Sequence, residues 1–423
     1  MERATLLRSK INASLDSRVL RNTGLLGIAN VLDRVIAFVL VVVIGRELGV
    51  VEFGRYSLGV ALATIIFQFS SLGVDVIVRR DLARDASVLP VHLGNALSLE
   101  ILSVTAGIGF VWIFGLVAGY DPETANTLVA VGVVFGLETL LQLAFAVFEA
   151  RERMEYELAV MALRIVLLAC LPVALALGWG LQGIFAAWIA TNILRLALAL
   201  WLIRSRFSPF RARVDLGAWK RMLSESYPLA LALLFNVIYY RADAVMLSFY
   251  RSEAEVGVYN AAYSFLNVTA VLSVAFLRSV FPRFAQQVHE PGRLRRTFYR
   301  SLGFMGLAGL VVALLLTVFA DAVIRLVFTE RFAGSANALV ILAWASFFLF
   351  LGSTCAVLLN ATGRQKAGMY TTALMAAVNV GLNLWLIPKS GYIGASVATL
   401  LSYAVGFIVL LMIVFRKSER SFM

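Results

Sequence analysis

Twelve stretches of mainly apolar residues recur along the 423-residue chain, separated by short charged or Gly/Pro-containing breaks. Each is about the ~20 residues that a helix needs to cross the hydrocarbon of a bilayer. They run over approximately 22–44, 54–78, 93–118, 125–148, 156–178, 181–203, 226–249, 256–282, 299–320, 336–360, 367–387 and 392–415. Nothing in hydrocarbon satisfies a bare peptide group, so such stretches have to close their own hydrogen bonds as helices. Composition agrees: 61% of the residues are apolar and 15% are charged, against about 25% charged in soluble domains. The expected fold is an all-α polytopic membrane protein of twelve transmembrane helices. Its longest polar break, Arg204 to Glu225, is too short to hold a soluble catalytic domain.

The basic residues orient these spans. With the N-terminus in the cytoplasm, 26 of the 37 Lys and Arg fall on the cytoplasmic side, the asymmetry that translocation imposes. Both termini are therefore expected to be cytoplasmic, in a plasma (inner) membrane. The net charge of +12 is dispersed over seven short cytoplasmic segments, which argues against a nucleic-acid partner. Met1–Arg21 is basic and polar, with no apolar run ahead of a cleavage site, so the first apolar segment reads as a retained helix. Cys170 and Cys355 lie in separate spans and His92 and His289 in separate loops. No disulfide, metal or cofactor site is expected from them.

The second half restates the first. Glu52-x-Gly54-x-Tyr56 returns at an offset of 203 as Glu255-x-Gly257-x-Tyr259, and Gly180-x-x-Gly183 returns at 211 as Gly391-x-x-Gly394. Six spans per half is an even number, so both halves insert the same way up, related by a pseudo-two-fold axis along the membrane normal. The expected organisation is an N-terminal six-helix bundle (1–203), a cytoplasmic linker (204–225) and a C-terminal six-helix bundle (226–423). Gly54, Gly257, Gly183 and Gly394 are read as turn or close-packing positions, with a hinge role as the alternative.

Ionisable residues within spans are costly and normally face protein or water. Asp33 and Arg34 lie near the middle of the first span, and Arg241 and Asp243 in the matching region of the seventh, each set close after an Asn, Asn30 or Asn236. Arg34 and Arg241 are read as substrate-facing, with Asn30 and Asn236 beside them. The alternative is that Asp33/Arg34 and Arg241/Asp243 are self-contained ion pairs, and Asp33 and Asp243 also stand as candidates for ion coupling. Arg164 is a further substrate-facing candidate, whereas Arg195 and Arg278 lie close enough to cytoplasmic ends to snorkel. Glu138, mid-span, suits ion coupling or a hydrogen-bonded contact between helices. Five arginines within spans favour an anionic substrate, because the guanidinium fork matches phosphate oxygens.

Motifs for ATP hydrolysis, zinc proteolysis and serine hydrolysis do not occur in the sequence, so no enzyme is indicated. What does occur is a series of fragments in order. They are Asn30-x-x-x-Arg34; Leu48-Gly49-x-x-x-Phe53-Gly54-x-Tyr56-Ser57; Leu72-Gly73; Asp243-x-x-Met246-Leu247; Glu255-Val256-Gly257-x-Tyr259-x-x-Ala262; Leu359-Asn360-Ala361-Thr362-Gly363-Arg364; and Asn379-x-x-Leu382-Asn383-x-x-Leu386-Ile387-Pro388. In these the chain resembles the polysaccharide (oligosaccharide-lipid) flippases of the multidrug/oligosaccharidyl-lipid/polysaccharide exporter superfamily. That resemblance implies transport of a polyprenyl-pyrophosphate-linked oligosaccharide to the outer leaflet by alternating access. Its partners would be membrane lipids and, in surface polysaccharide synthesis, a glycan polymerase and glycosyltransferases. A cation-coupled multidrug exporter of the same superfamily is the alternative. A membrane glycan polymerase or ligase is disfavoured, the longest outer segment being about Asp321–Ser335.

Overall fold

A computed structural model describes the backbone of residues 2–421, and all side chains except those in 1–23, 25–26, 28–34, 167–169, 171–172, 227–236 and 417–423. Among the described residues there is no strand. The helices are α1 (Glu2–Ser70), α2 (Val74–Arg84), α3 (Leu89–Val117), α4 (Pro122–Ala150), α5 (Met154–Ala162), α6 (Arg164–Ala176) and α7 (Gly180–Arg206). They continue with α8 (Leu216–Tyr250), α9 (Glu253–Gln286), α10 (Pro291–Val318), α11 (Ala320–Phe328), α12 (Ser335–Ala361) and α13 (Gln365–Ser421). Seven helices among the described residues are long and apolar enough to cross a membrane. The chain is thus a helical, multi-pass membrane protein.

Glycine and capping chemistry decide where these helices break. Gly49 divides α1 with φ 85° and Gly391 divides α13 with φ 55°, a left-handed backbone that costs a residue without Cβ little. Each therefore splits one long helix into two of the expected spans. The second expected span is interrupted at Leu72 and Gly73, both left-handed, and resumes as α2. The fifth is divided at Leu163, which keeps helical angles (φ −61°, ψ −20°), so α5 and α6 follow one another almost directly. Ser252 caps α9 by accepting from the Glu255 amide. Asp121 does the same for α4, accepting from the amides of Glu123 and Thr124 at 2.9 Å each, ahead of Pro122 at the first helical position.

The chain forms two compact units. Unit 1 holds residues 1–41, 69–114 and 129–230; unit 2 holds 42–68, 115–128 and 231–423. Unit 2 thus contains all of α9–α13 together with two segments from the first half of the sequence. Its interior is built on aromatic side chains: Phe53 lies 5.6 Å from Phe328 and 5.7 Å from Phe332, ring centre to ring centre, and all three are buried. Gly45 leaves the room, since a Cβ there would meet Phe328 at 2.7 Å. In lipid, where apolar contact alone does not favour association, such small-against-large packing holds helices together.

Candidate functional site

The seventh expected span forms the C-terminal part of α8, and it carries Arg241 and Asp243, both in unit 2. Two residues apart on a helix point in different directions, and here the two side chains have separate surroundings. Asp243 is 1% exposed. One of its oxygens, Oδ2, accepts from the hydroxyls of Tyr259 on α9 and of Thr399 on α13, the latter at 2.9 Å. Its other oxygen, Oδ1, has no hydrogen-bond partner among the described residues. Four further tyrosines surround this point, with Tyr239 5.4 Å from Tyr403, 5.2 Å from Tyr240, and Tyr263 5.5 Å from Tyr259. Arg241 is half-buried and makes no hydrogen bond or ion pair among the described residues. Its charge reaches Asp243 and Tyr263 only through space. The self-contained Arg241/Asp243 ion pair is therefore not what the side chains form: hydroxyl groups bond one oxygen of the acid, and among the described residues no carboxylate pairs with the guanidinium.

Unit 1 treats its intramembrane charges differently. Arg195 on α7, expected to snorkel, is instead 2% exposed and donates to Glu138 on α4 at 2.7 Å, to the Asn192 side chain at 2.8 Å and to the Val160 carbonyl at 3.3 Å. Depth along the sequence misjudged it because Glu138, from another helix, supplies the counter-charge. Glu138 thus joins helices. Arg164 lies 5.7 Å over the Trp188 ring, a cation–π arrangement. Toward the expected cytoplasmic end, Arg79 is ion-paired with Glu149 at 2.7 Å and lies 3.5 Å from Asp75. Beyond these, Glu100 on α3 is 1% exposed, with neither carboxylate oxygen hydrogen-bonded among the described residues. Asn30, Asp33, Arg34 and Asn236 fall outside the described side chains. Arg278, in unit 2, is exposed.

The four repeated glycines all sit inside helices, and the left-handed positions lie beside them, at Gly49, Gly180 and Gly391. Gly54 and Gly257 touch each other within unit 2. A Cβ on Gly54 would fall 1.8 Å from the Glu253 carbonyl oxygen and 3.2 Å from the Gly257 nitrogen. One on Gly257 would fall 2.2 Å from the Val50 carbonyl oxygen and 3.2 Å from the Gly54 nitrogen. The motif that repeats at an offset of 203 is thus a reciprocal contact between its two copies. Gly183 and Gly394 also correspond: a Cβ at Gly183 would meet the Trp179 side chain at 2.4 Å, and one at Gly394 the Leu386 carbonyl oxygen at 2.4 Å. Each packs against chain just before its left-handed glycine. Beside the Gly54 contact, Arg55 bonds Glu52 at 2.6 Å, Thr124 at 3.1 Å and also Glu123.

Tyr259 and Thr399 are the functional candidates that sequence reasoning missed. For Tyr259 a signal existed, since it ends the repeated E-x-G-x-Y motif. Thr399 lies 156 residues from Asp243, and nothing local marks it. A cleft of roughly 250 Å³ in unit 2, lined by Asn360, Gln365, Thr371 and Thr372 among others, has no charged group in its lining and so offers nothing to a phosphate.

Comparison with known proteins adds to this geometry. A family model described as "Polysaccharide biosynthesis protein" matches residues 19–288, and one described as MatE matches residues 228–385. The chain is 26% identical over 403 residues to "Probable flippase AglR" of Haloferax volcanii, covering 90% of this chain and 80% of that protein. Among solved structures it is similar to "Lipid II flippase MurJ, inward closed conformation", with a TM-score of 0.73 at 15% identity over 92% of this chain and 87% of that one. It is also similar to an inward-facing multidrug resistance MATE family transporter of the MOP superfamily, with a TM-score of 0.72 at 15% identity over 92% and 96%. Both structural likenesses are of fold.

Proposed function

Because the chain belongs to the polysaccharide biosynthesis protein family, we propose that this membrane transporter moves a polyprenyl-pyrophosphate-linked oligosaccharide from the cytoplasmic to the outer leaflet. The observation that carries the choice of an anionic substrate is Arg241: a half-buried guanidinium, within a span, that forms no ion pair with a carboxylate among the described residues. Its neighbour Asp243 is occupied by Tyr259 and Thr399. A fixed cation of this kind suits the two phosphates of the lipid carrier. The 26% identity to a protein named as a flippase, over 90% of the chain, supports the same reading.

In the proposed scheme twelve spans form two six-helix bundles, 1–203 and 226–423, joined by the cytoplasmic linker 204–225, with both termini in the cytoplasm of an inner membrane. The repeats support it: the two E-x-G-x-Y copies meet reciprocally at Gly54 and Gly257, and Gly180 and Gly391 share a left-handed backbone. The pyrophosphate enters from the cytoplasmic leaflet and pairs with Arg241 and with Arg34, its counterpart in the first half, while the polyprenyl tail stays in lipid. Asn30, Asn236 and Arg164 contribute to headgroup binding. Alternating access then requires the contact at Gly54 and Gly257 to part, and Asp33 and Asp243 are the candidates to couple an ion to that step. A polymerase and glycosyltransferases would consume and supply the lipid-linked glycan.

The test is translocation of lipid-linked oligosaccharide in proteoliposomes, comparing wild type with Arg34→Ala/Arg241→Ala at equal reconstituted protein. Loss of transfer in the double variant, with partial activity in Arg241→Lys, is expected. Full transfer by the double variant overturns the assignment of the arginines. A second reading, export of cationic drugs, is favoured by the buried carboxylate of Asp243 with one oxygen unpartnered. Efflux of a cationic dye that is abolished by Asp243→Asn, without glycan-lipid transfer by wild type, would establish it.

A further inference from the structure

The densest run of cations in the chain has no part in this scheme. Arg204, Arg206, Arg211, Arg213, Lys220 and Arg221 lie within 18 residues at the end of α7, the linker and the start of α8. The positive-inside rule explains why such a loop is basic. It does not explain why the loop is tied down. Phe207, just past α7, packs 6.2 Å from the Phe148 ring and 5.8 Å from that of Tyr156, with the Arg151 guanidinium 5.6 Å from its centre. At the other end the Arg213 amide donates to the Gly94 carbonyl at 3.2 Å. The Asp215 amide donates to the Asn95 side-chain oxygen at 2.9 Å, and the Trp219 indole to the Asn95 carbonyl at 3.0 Å. Gly94 is required there, since a Cβ would lie 2.3 Å from the Arg211 carbonyl oxygen. Residues 208–215, which form no helix, are thus clamped at both ends onto unit 1.

What the clamp presents is charge without counter-charge. All six cations are exposed, and among the described residues none of their side chains makes a hydrogen bond or ion pair. The two acids nearby are committed elsewhere. Asp215 caps α8 by accepting from the amides of Gly217 and Ala218, and Glu225 binds Arg80 at 2.5 Å. Between the arginines and the lysine stand Val214 and Leu216, exposed by 67% and 73%. Cations that flank exposed apolar side chains at the end of a spanning helix match the chemistry of an anionic membrane surface: phosphates above, acyl chains below. We propose that residues 204–221 form a docking surface for anionic phospholipid headgroups of the cytoplasmic leaflet, with Val214 and Leu216 entering the acyl boundary. This rests on the proposed orientation of the chain and not on what it transports. Holding the backbone in place removes part of the ordering cost that a free polybasic loop would meet on binding.

The test uses the full-length protein in mixed bilayers of phosphatidylcholine and phosphatidylglycerol. Association of spin-labelled phosphatidylglycerol is measured relative to spin-labelled phosphatidylcholine. Wild type should prefer phosphatidylglycerol, with a preference that shrinks as salt rises. Arg211→Gln/Arg213→Gln/Lys220→Gln/Arg221→Gln should lower that preference roughly fivefold or more. Asn95→Ala keeps every cation but releases the clamp, and should lower it by a smaller factor. Arg293→Gln/Arg295→Gln/Arg296→Gln, on the expected cytoplasmic side but outside the surface, should leave it unchanged. An unaltered preference in the quadruple variant overturns the proposal, as does an equal loss in the Arg293 triple variant, which would mean generic charge. A wild-type preference for added polyprenyl pyrophosphate alone, indifferent to phosphatidylglycerol, overturns the choice of lipid. Labelling of Ser208→Cys from outside the cell by an impermeant maleimide overturns the orientation itself, and so separates that failure from a failure of lipid binding.

Discussion

One methyl group at Gly54 would place a carbon 1.8 Å from the Glu253 carbonyl oxygen and 2.6 Å from its carbonyl carbon. Ordinary contact needs about 3.5 Å, so Gly54→Ala has to push residues 50–56 and 253–259 apart by roughly 1.5 Å or more. Neither partner can yield by turning a side chain, because both contact atoms are backbone. Overpacking of this kind costs about 1–3 kcal/mol, which is roughly a 5- to 150-fold change in the population of a state that keeps the contact. Ser335 reports on the change. It is fully buried in unit 2, next to Gly334, whose absent Cβ would face Val258 at 3.7 Å and Tyr392 at 3.5 Å. The assay is labelling of Ser335→Cys by an impermeant maleimide from outside, with Cys170 and Cys355 replaced by Ala. Labelling should be slow in the parent and faster by that factor in Gly54→Ala, with glycan export reduced at equal protein abundance. Gly257→Ala should act the same way, and the double variant should add little, since both changes open one contact. Unchanged labelling together with normal export in Gly54→Ala would refute the contact as the one that transport has to break.

Arg195→Met should destabilise the protein by about 3–5 kcal/mol, because it strands Glu138 in the span, while Arg195→Met/Glu138→Met should recover most of that loss; thermal unfolding in detergent measures both. Glu100→Gln should leave stability unchanged or raise it by about 1–3 kcal/mol, since no partner of either oxygen is lost among the described residues; a large fall in melting temperature would contradict this. Asp121 contributes a pH-dependent cap to α4. Partial burial pushes its carboxyl up, but hydrogen bonds from the Thr124 amide and hydroxyl, with the Arg55 charge, outweigh that and hold it below the usual carboxylate range. The folded value being the lower one, its stabilisation is complete at neutral pH, persists to about pH 5, and disappears as pH falls through the lowered value. Hydrogen exchange at the Glu123 and Thr124 amides should therefore accelerate in acid, beyond its intrinsic pH dependence, and Asp121→Ala should show the accelerated rate already at neutral pH.

How far the sequence discloses this molecule depends on the range of each interaction. Spans are legible because every residue in them answers to the same solvent, so the signal adds up over some twenty positions. The breaks at Gly49, Gly180 and Gly391 are local too, set by the one residue type that takes a left-handed backbone freely. The repeat revealed that Gly54 and Gly257 correspond, yet it could not reveal that they touch, since their contact runs through the carbonyls of Glu253 and Val50. Partners across helices were beyond reach. Arg195 read as a snorkelling residue because depth is counted along one helix, whereas its carboxylate comes from α4, 57 residues away. An Arg241/Asp243 pair stood as the alternative reading because the two are neighbours in sequence; the hydrogen-bond partners of Asp243 are 16 and 156 residues distant.

Arg195 and Arg241 illustrate how a scaffolding charge differs from one proposed to meet a substrate in a membrane. Both are arginines within expected spans, and a count of intramembrane charges treats them alike. Arg195 is wholly buried, and its donors end on a carboxylate, an amide oxygen and a carbonyl, so no moving substrate can bind it without first breaking that network. Arg241 is half-buried and has none of these partners among the described residues. A transported anion has to be bound and then released, which requires a cation whose alternative to the substrate is water rather than a fixed carboxylate. By that criterion Arg241 is proposed as the cation that exchanges ligands during a cycle and Arg195 is not, since among the described residues an acid is bonded to Arg195 and none to Arg241.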